Sequence, residues 1–262
     1  MAVITIGKLS EAYDYHRLDA EFYQPKYLID FSRGEWRSIK NYLITCQYGI
    51  SQAMIEEPRG YPIFRMDDIR DSFLTDDGVK YIEITERDFK QFRLEPDDVL
   101  FNRVNAEEFV GRTGIFKLSG DYVFASYLIR LRVKPDSGIL PDYLNIFLNS
   151  EFGKKQVRRF SRRAVNQANV NAEELKNFRI CIIPLAIQEQ IRQLCNEAWS
   201  SVERSKSMYD EAENLLLERL GLKGFDPKHT VSYAADLSKA FRAQRLDAEY
   251  FQPAYDSLIE HL

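Results

Sequence analysis

Two copies of one segment, near opposite ends of the chain, constrain its architecture more than any other feature. Residues 9–27 carry Leu9-Ser10, Ala12, then Arg17-Leu18-Asp19-Ala20-Glu21-Phe22-Tyr23-Gln24-Pro25 and Tyr27. Residues 237–255 carry Leu237-Ser238, Ala240, then Arg245-Leu246-Asp247-Ala248-Glu249-Tyr250-Phe251-Gln252-Pro253 and Tyr255. Eleven of the nineteen positions are identical, and three of the other eight (13/241, 22/250 and 23/251) are aromatic in both copies. A period of 228 residues is far longer than the roughly 20 to 50 residues of a solenoid unit. The chain reads as one whole structural unit followed by the opening of a second.

Between the copies the hydrophobic pattern changes twice. Pro25 suits the first turn of a short helix through Tyr27, Leu28 and Phe31, ended by Gly34. From Trp36 to Val133 short apolar runs are punctuated by turns, and Tyr122–Val133 alternates apolar and polar residues like a half-buried strand. Pro141 opens a helical stretch, Asn171 is placed to cap a short turn, and Phe178–Ile183 returns to strand. Leu185–Leu220 then runs without Pro or Gly until Gly221. Along it Ile187, Ile191, Leu194, Ala198, Val202, Tyr209, Ala212 and Leu216 recur in steps of three and four, the seam of a coiled coil, although Ser205 interrupts it. The expected fold is α+β, a β-rich domain (1–183) followed by a long coiled-coil-forming helix (184–222) and the start of a second half-repeat (223–262).

The net charge of −4 argues against a generic nucleic-acid coat protein, but its distribution is uneven. Lys154, Lys155, Arg158, Arg159, Arg162 and Arg163 follow one another without an acid. On a helix they form two adjacent columns, and like charges four apart repel. A phosphate-facing stripe accounts for them better than a solvated face, because neutralising phosphates releases counterions. Asn166, Gln167 and Asn169 follow in an amide-dense turn suited to adenine edges, or to capping turns. A second candidate loop holds Ser51, Gln52 and Arg59. Arg103, Asn105 and Arg112 flank a strand that ends at Phe101, with Arg112 in a tight turn, and Arg65 suits a phosphate or a neighbouring acid equally.

Several chemistries lack their residues. His16, His229 and His261 are scattered, and Cys46, Cys181 and Cys195 have no metal-ligand spacing, so no metal is expected. No Gly-rich phosphate loop occurs, and no Asn-Pro-Pro-aromatic tetrapeptide of the kind that holds a flipped base. Asp142 and Glu151 read as ordinary helix residues. A chain without catalytic or cofactor machinery is the expectation. No apolar run reaches the roughly 18 residues that span a bilayer, so no membrane association and a cytoplasmic location are expected.

The repeat resembles the opening of each half of the specificity subunit of type I restriction-modification systems. Ile183-Pro184-Leu185 with Gln188-Glu189-Gln190-Ile191 is similar to that family's entry into its spacer helix. Asp97-Asp98-Val99-Leu100-Phe101 with Val110-Gly111-Arg112 is similar to a loop and strand of its recognition domain, with Asp97 where glycine is usual. The resemblance covers one half of such a subunit. It implies double-stranded DNA as ligand, a separate adenine methyltransferase subunit that binds S-adenosylmethionine, and an ATP-dependent restriction subunit. A half-length chain rebuilds two-reader geometry by pairing with itself through the 187–216 seam, as a homodimer. The second repeat copy then docks across the dimer or competes with residues 9–27. Two other readings stay open: a coiled-coil adaptor, and a recognition fragment of a fused restriction-methylation enzyme.

Overall fold

The computed structural model describes residues 9–164, 167–226 and 230–261. Two compact units emerge, Met1–Trp199 and Ser200–Leu262, and the division falls inside the long helix. The first unit opens with α1 (Leu9–Tyr15) and a single 3-10 turn at Pro25–Tyr27. The short helix expected to reach Phe31 stops there, because Leu28 is already extended and Phe31 packs edge-on against Trp36.

The β-rich part follows as β1 (Glu35–Ser38), β2 (Leu43–Tyr48), β3 (Tyr61–Phe64), β4 (Ile69–Arg70), β5 (Phe73–Leu74) and β6 (Lys80–Ile82). A helix that the alternation concealed, α2 (Glu86–Phe92), is capped by the Thr85 hydroxyl, which accepts from the Asp88 N–H. The chain continues through β7 (Val99–Asn102), β8 (Val104–Asn105), β9 (Thr113–Ile115), β10 (Val123–Phe124) and β11 (Leu128–Val133). Helices α3 (Pro141–Asn149) and α4 (Glu151–Phe160), the hairpin β12 (Arg162–Ala164) and β13 (Gln167–Asn169), α5 (Ala172–Lys176) and β14 (Arg179–Ile182) complete the domain. Then come α6 (Leu185–Arg219), α7 (Leu237–Ala243) and α8 (Pro253–His261).

The largest sheet has the order β2-β11-β7-β9-β5-β4. A second has β3 central between β10 and β6, a third has the order β12-β13-β8, and β1 pairs antiparallel with β14. The strand expected over Tyr122–Val133 is therefore two strands, β10 and β11, in different sheets. Its alternation fails because β11 is central, paired to β2 on one side and β7 on the other, with Leu128 to Leu131 all buried. Arg130 tolerates this position by donating to the Arg93 and Gln91 carbonyls and to Gln47 Oε1, at 2.7, 3.1 and 2.6 Å. Three such bonds from its terminal nitrogens offset the cost of burying the cation, while its Nε has no partner.

The main core gathers Phe22, Phe101, Leu144, Leu148, Val157, Phe160, Phe178 and Ile180 from both ends of the domain and the middle. The base of α6 is fastened to it. Gln188 is fully buried; its Oε1 accepts from Leu140 N (2.9 Å), and its Nε2 donates to the Gly138 and Ile183 carbonyls (2.9 and 3.0 Å). Ile191 packs on the core, and the Trp199 ring lies 5.3 Å from that of Phe73. This corrects the expected partner seam: Ile191 serves its own domain, whereas Ile187, Leu194, Ala198, Tyr209, Ala212 and Leu216 are exposed and Val202 half-buried. At 1.5 Å per residue the 35-residue helix is about 52 Å long. Gly221, at φ +70°, supplies the left-handed residue that ends it.

Candidate nucleic-acid interface

The cation-rich stretch begins where α3 turns into α4. Ser150 caps α4, and a Cβ at Gly153 would stand 2.1 Å from the Leu148 carbonyl oxygen, so only glycine lets the two helices meet this closely. The helix ends at Phe160. The expected three-turn stripe is thereby corrected: Arg162 and Arg163 lie in β12, and only Lys154, Lys155, Arg158 and Arg159 share the helix.

Arg159 leaves the stripe altogether. It is 5% exposed, lies 4.2 Å over the Phe22 ring, donates to the Phe22 carbonyl (3.2 Å) and pairs with Glu11 (3.4 Å). Its charge secures the first repeat copy to α4. Acids outside the run also offset the repulsion that the cations imply. Lys154 pairs with Glu151 at 3.7 Å, and Arg162 with Glu174 at 3.0 Å. Arg163 reaches Glu107, Glu21 and the Tyr27 hydroxyl at 2.7, 3.6 and 2.9 Å. Lys155 and Arg158 make no ion pair among the described residues, and Arg158 is exposed.

The first repeat copy is built around Arg17. Its guanidinium binds both Asp19 oxygens, the Phe160 carbonyl and Glu174 Oε1. That hydrogen-bonded arginine holds the Asp19 carboxyl below its usual range. Glu174, absent from the sequence-based candidates, joins Arg17, Arg162 and the Asn171 N–H. Its signal was the capping box Asn171-x-x-Glu174, which does form at the start of α5.

The small sheet β12-β13-β8 brings most of the remaining candidates together. Ala164 pairs with Gln167, Arg162 with Asn169, and Ala168 with Asn105. Gln167 is exposed. Arg103 lies 4.9 Å over the Tyr48 ring and donates to the Ser126 carbonyl, next to the start of the loop that carries Ser51 and Gln52. Three buried polar atoms of this region, Arg103 Nε, Arg163 Nε and Asn169 Oδ1, have no hydrogen-bond partner.

Other candidates have local duties. Asn105 accepts from the Ala106 N–H and faces Met66 Sδ, Gln52 donates to the Glu83 carbonyl, and Arg112 is exposed over the Phe109 ring at 4.2 Å. Ser51 and Arg59 are exposed in the β2–β3 loop. Asn166 lies outside the described residues. Arg65 takes its acid partner, Asp68, at 3.0 Å. Asp142 is corrected from an ordinary helix residue to a fully buried carboxylate 2.9 Å from Lys117 Nζ. No helix is long and apolar enough to cross a membrane among the described residues.

The family model for the type I restriction modification DNA specificity domain matches residues 44–194, from β2 to the base of α6. The chain belongs to that family. This type I specificity domain is similar to the putative type I restriction enzyme MjaX specificity subunit of Methanocaldococcus jannaschii, at 26% identity over 195 residues, 72% of this chain and 46% of that protein. It is also similar to the type I restriction enzyme EcoKI specificity subunit of Escherichia coli K12, at 23% identity over 236 residues, 88% of this chain and 48% of that protein. The solved type I S subunit from M. genitalium aligns at a TM-score of 0.45 and 12% identity, over 75% of this chain and 47% of that one. The chain spans about half the length of the curated relatives it matches. The expected family holds, and the matched region reaches the entry into the spacer helix.

Proposed function

We propose that this specificity domain reads a DNA sequence and supplies that address to a separate adenine methyltransferase, with an ATP-dependent restriction subunit in the complete assembly. The observation that carries the reading is the β12-β13-β8 sheet, whose register puts Arg162, Gln167 and Asn169 on one face and Arg163 with Asn105 on the other. A two-stranded ribbon fits the major groove, and amides pair there with adenine. Lys155 and Arg158 on neighbouring α4 are left for phosphates.

The domain holds the address and its partner the chemistry. Incubated alone with labelled S-adenosylmethionine and DNA, the chain transfers no methyl group on this reading. The exposed face of α6 from Leu194 to Leu216 pairs with a second helix of its kind, and in a solution of this chain alone that pairing is a homodimer visible by light scattering.

Salt titration of duplex binding tests the reading. Each phosphate contact contributes about 0.9 to the slope of log affinity against log salt. Lys155→Glu with Arg158→Glu flattens the slope by about 1.8 and weakens all sequences alike. Gln167→Ala alters which sequence is preferred. Unchanged binding in the first variant, with unchanged preference in the second, overturns the assignment.

A further inference from the structure

Among the described residues, every buried or half-buried arginine except Arg103 has a carboxylate beside it. Arg17 sits on Asp19 and Glu174, Arg65 on Asp68, Arg130 and Arg132 on Asp98, Arg159 on Glu11, Arg163 on Glu107 and Arg192 on Glu189. Arginines such as Arg112 and Arg158 have no acid but are exposed, and water serves them. Arg103 is half-buried, where a cation without a counter-charge is costly.

The chain holds this guanidinium in place without neutralising it. Its backbone is pinned on both sides, the N–H to the Tyr127 carbonyl and the carbonyl to the Val170 N–H, each at 3.0 Å. The guanidinium lies over the Tyr48 ring at 4.9 Å, and that ring is fixed in turn because the Tyr48 hydroxyl accepts from Ala172 N at 2.8 Å. One Nη1–H goes to the Ser126 carbonyl at 3.3 Å, while Nε and Nη2 have no acceptor among the described residues. Both candidate loops converge on this seat. After Tyr48 the chain passes against the turn between β10 and β11: Ser126 N donates to the Ile50 carbonyl at 2.8 Å, and a Cβ at Gly49 would stand 2.2 Å from the Phe124 carbonyl oxygen. The end of the β12–β13 hairpin arrives from the other side at Val170. Tyr48 and Tyr127 are 39% and 44% exposed, so the seat opens to solvent.

We infer that Arg103 reads a guanine, donating one Nη1–H and one Nη2–H side by side to O6 and N7 in the major groove. The inference rests on the reading of the domain as one that binds a DNA sequence. Two features select a base edge over a phosphate. A guanidinium locked flat on a ring presents its fork in one fixed plane, which suits the planar acceptor pair of guanine. The seat is also recessed between two loops, whereas the cations free to meet the backbone from outside, Lys155 and Arg158, lie on α4. Adenine sets a donor, N6, where guanine has O6, so the same fork rejects it. Arg103 thereby complements the amides of Gln167 and Asn169, which suit adenine.

Selection from a randomised duplex pool with the full chain, followed by single substitutions in the selected site, tests this assignment. The wild-type site contains a guanine at which any other base costs about 5- to 150-fold in affinity. There 7-deazaguanine, which lacks the N7 acceptor, also weakens binding. Arg103→Ala loses the preference at that position alone, ceases to respond to 7-deazaguanine there, and keeps its other preferences and its salt slope. Should that variant fail to fold by circular dichroism, Arg103→Gln, which keeps the stem over Tyr48, takes its place with the same expected result. A selected site without guanine, or one in which every guanine tolerates 7-deazaguanine, overturns the inference with the wild-type chain alone. So does a variant weakened equally on all sequences with a slope flattened by about 0.9, which makes Arg103 a phosphate contact. A variant with unchanged preferences makes it structural and overturns the inference too. A wild-type chain that selects no site at all refutes the underlying reading of the domain.

Discussion

Lys117 Nζ stands 2.9 Å from Asp142 Oδ1 and 2.7 Å from Asp97 Oδ1, so one ammonium joins the first turn of α3 to the loop before β7. Burial of Lys117 opposes its charge, but the two carboxylates outweigh it and raise its pKa. Burial raises that of Asp142. Removing one partner of such a pair leaves an uncompensated charge, at a cost of about 3–5 kcal/mol. Lys117→Met therefore lowers stability in urea by about 3 kcal/mol, and adding Asp142→Leu recovers most of the loss. A double variant as unstable as the single one contradicts this account.

Gln188 is the second buried polar anchor, with three hydrogen bonds to backbone groups. Replacing it with leucine removes all three bonds, from Leu140 N and to the carbonyls of exposed Gly138 and half-buried Ile183, at about 0.5–1.5 kcal/mol each. Gln188→Leu loosens α6 at its base before the β-rich core melts, seen as faster hydrogen exchange over residues 185–195 while residues 99–102 keep their protection.

Arg159→Ala distinguishes a structural cation from a DNA-facing one. The substitution removes a packed guanidinium from Phe22 and the Glu11 pair. Stability falls by about 1–3 kcal/mol, and the salt slope of DNA binding in the folded fraction stays unchanged. A slope flattened as far as by Arg158→Ala places Arg159 back at phosphate.

Acid releases the first repeat copy through Asp19. Its folded pKa lies below the ordinary 3.8 because of the Arg17 hydrogen bond. A depressed acid contributes stability that is present above the unfolded value and lost as pH falls through the folded one. The difference in denaturation midpoint between wild type and Asp19→Asn is constant at neutral pH and shrinks below pH 3.8. A difference that grows on acidification reverses the sign.

The sequence disclosed what depends on local chemistry. The length of α6, its end at Gly221, the Asn171 cap and the helix opened by Pro141 follow from backbone rules that act within a few residues. It also placed Asp97 where glycine is usual, and the backbone there is left-handed, at φ 68°, with Lys117 engaging the side chain. Arg159 and Arg130 were illegible for the opposite reason. Their partners, Phe22 and Glu11 for one and Gln47 with the α2 carbonyl of Gln91 for the other, lie far along the chain. A run of cations reports charge without reporting which charges are used. The hairpin β12–β13 escaped because helical columns and a strand pair place 158/159 and 162/163 on quite different surfaces.

The pairing of β1 with β14, Glu35 opposite Ile182 and Ser38 opposite Arg179, brings the chain back to where it entered. All candidate base-contacting side chains, from Ser51 to Asn169, sit on the excursion between those two strands, while the clasp of residues 17–23 and the root of α6 flank its neck. Such a layout makes the reader an interchangeable cassette. On the proposed function, a crossover between genes within the neck strands replaces the whole excursion, and every candidate base contact with it, and leaves the chain's path outside it intact.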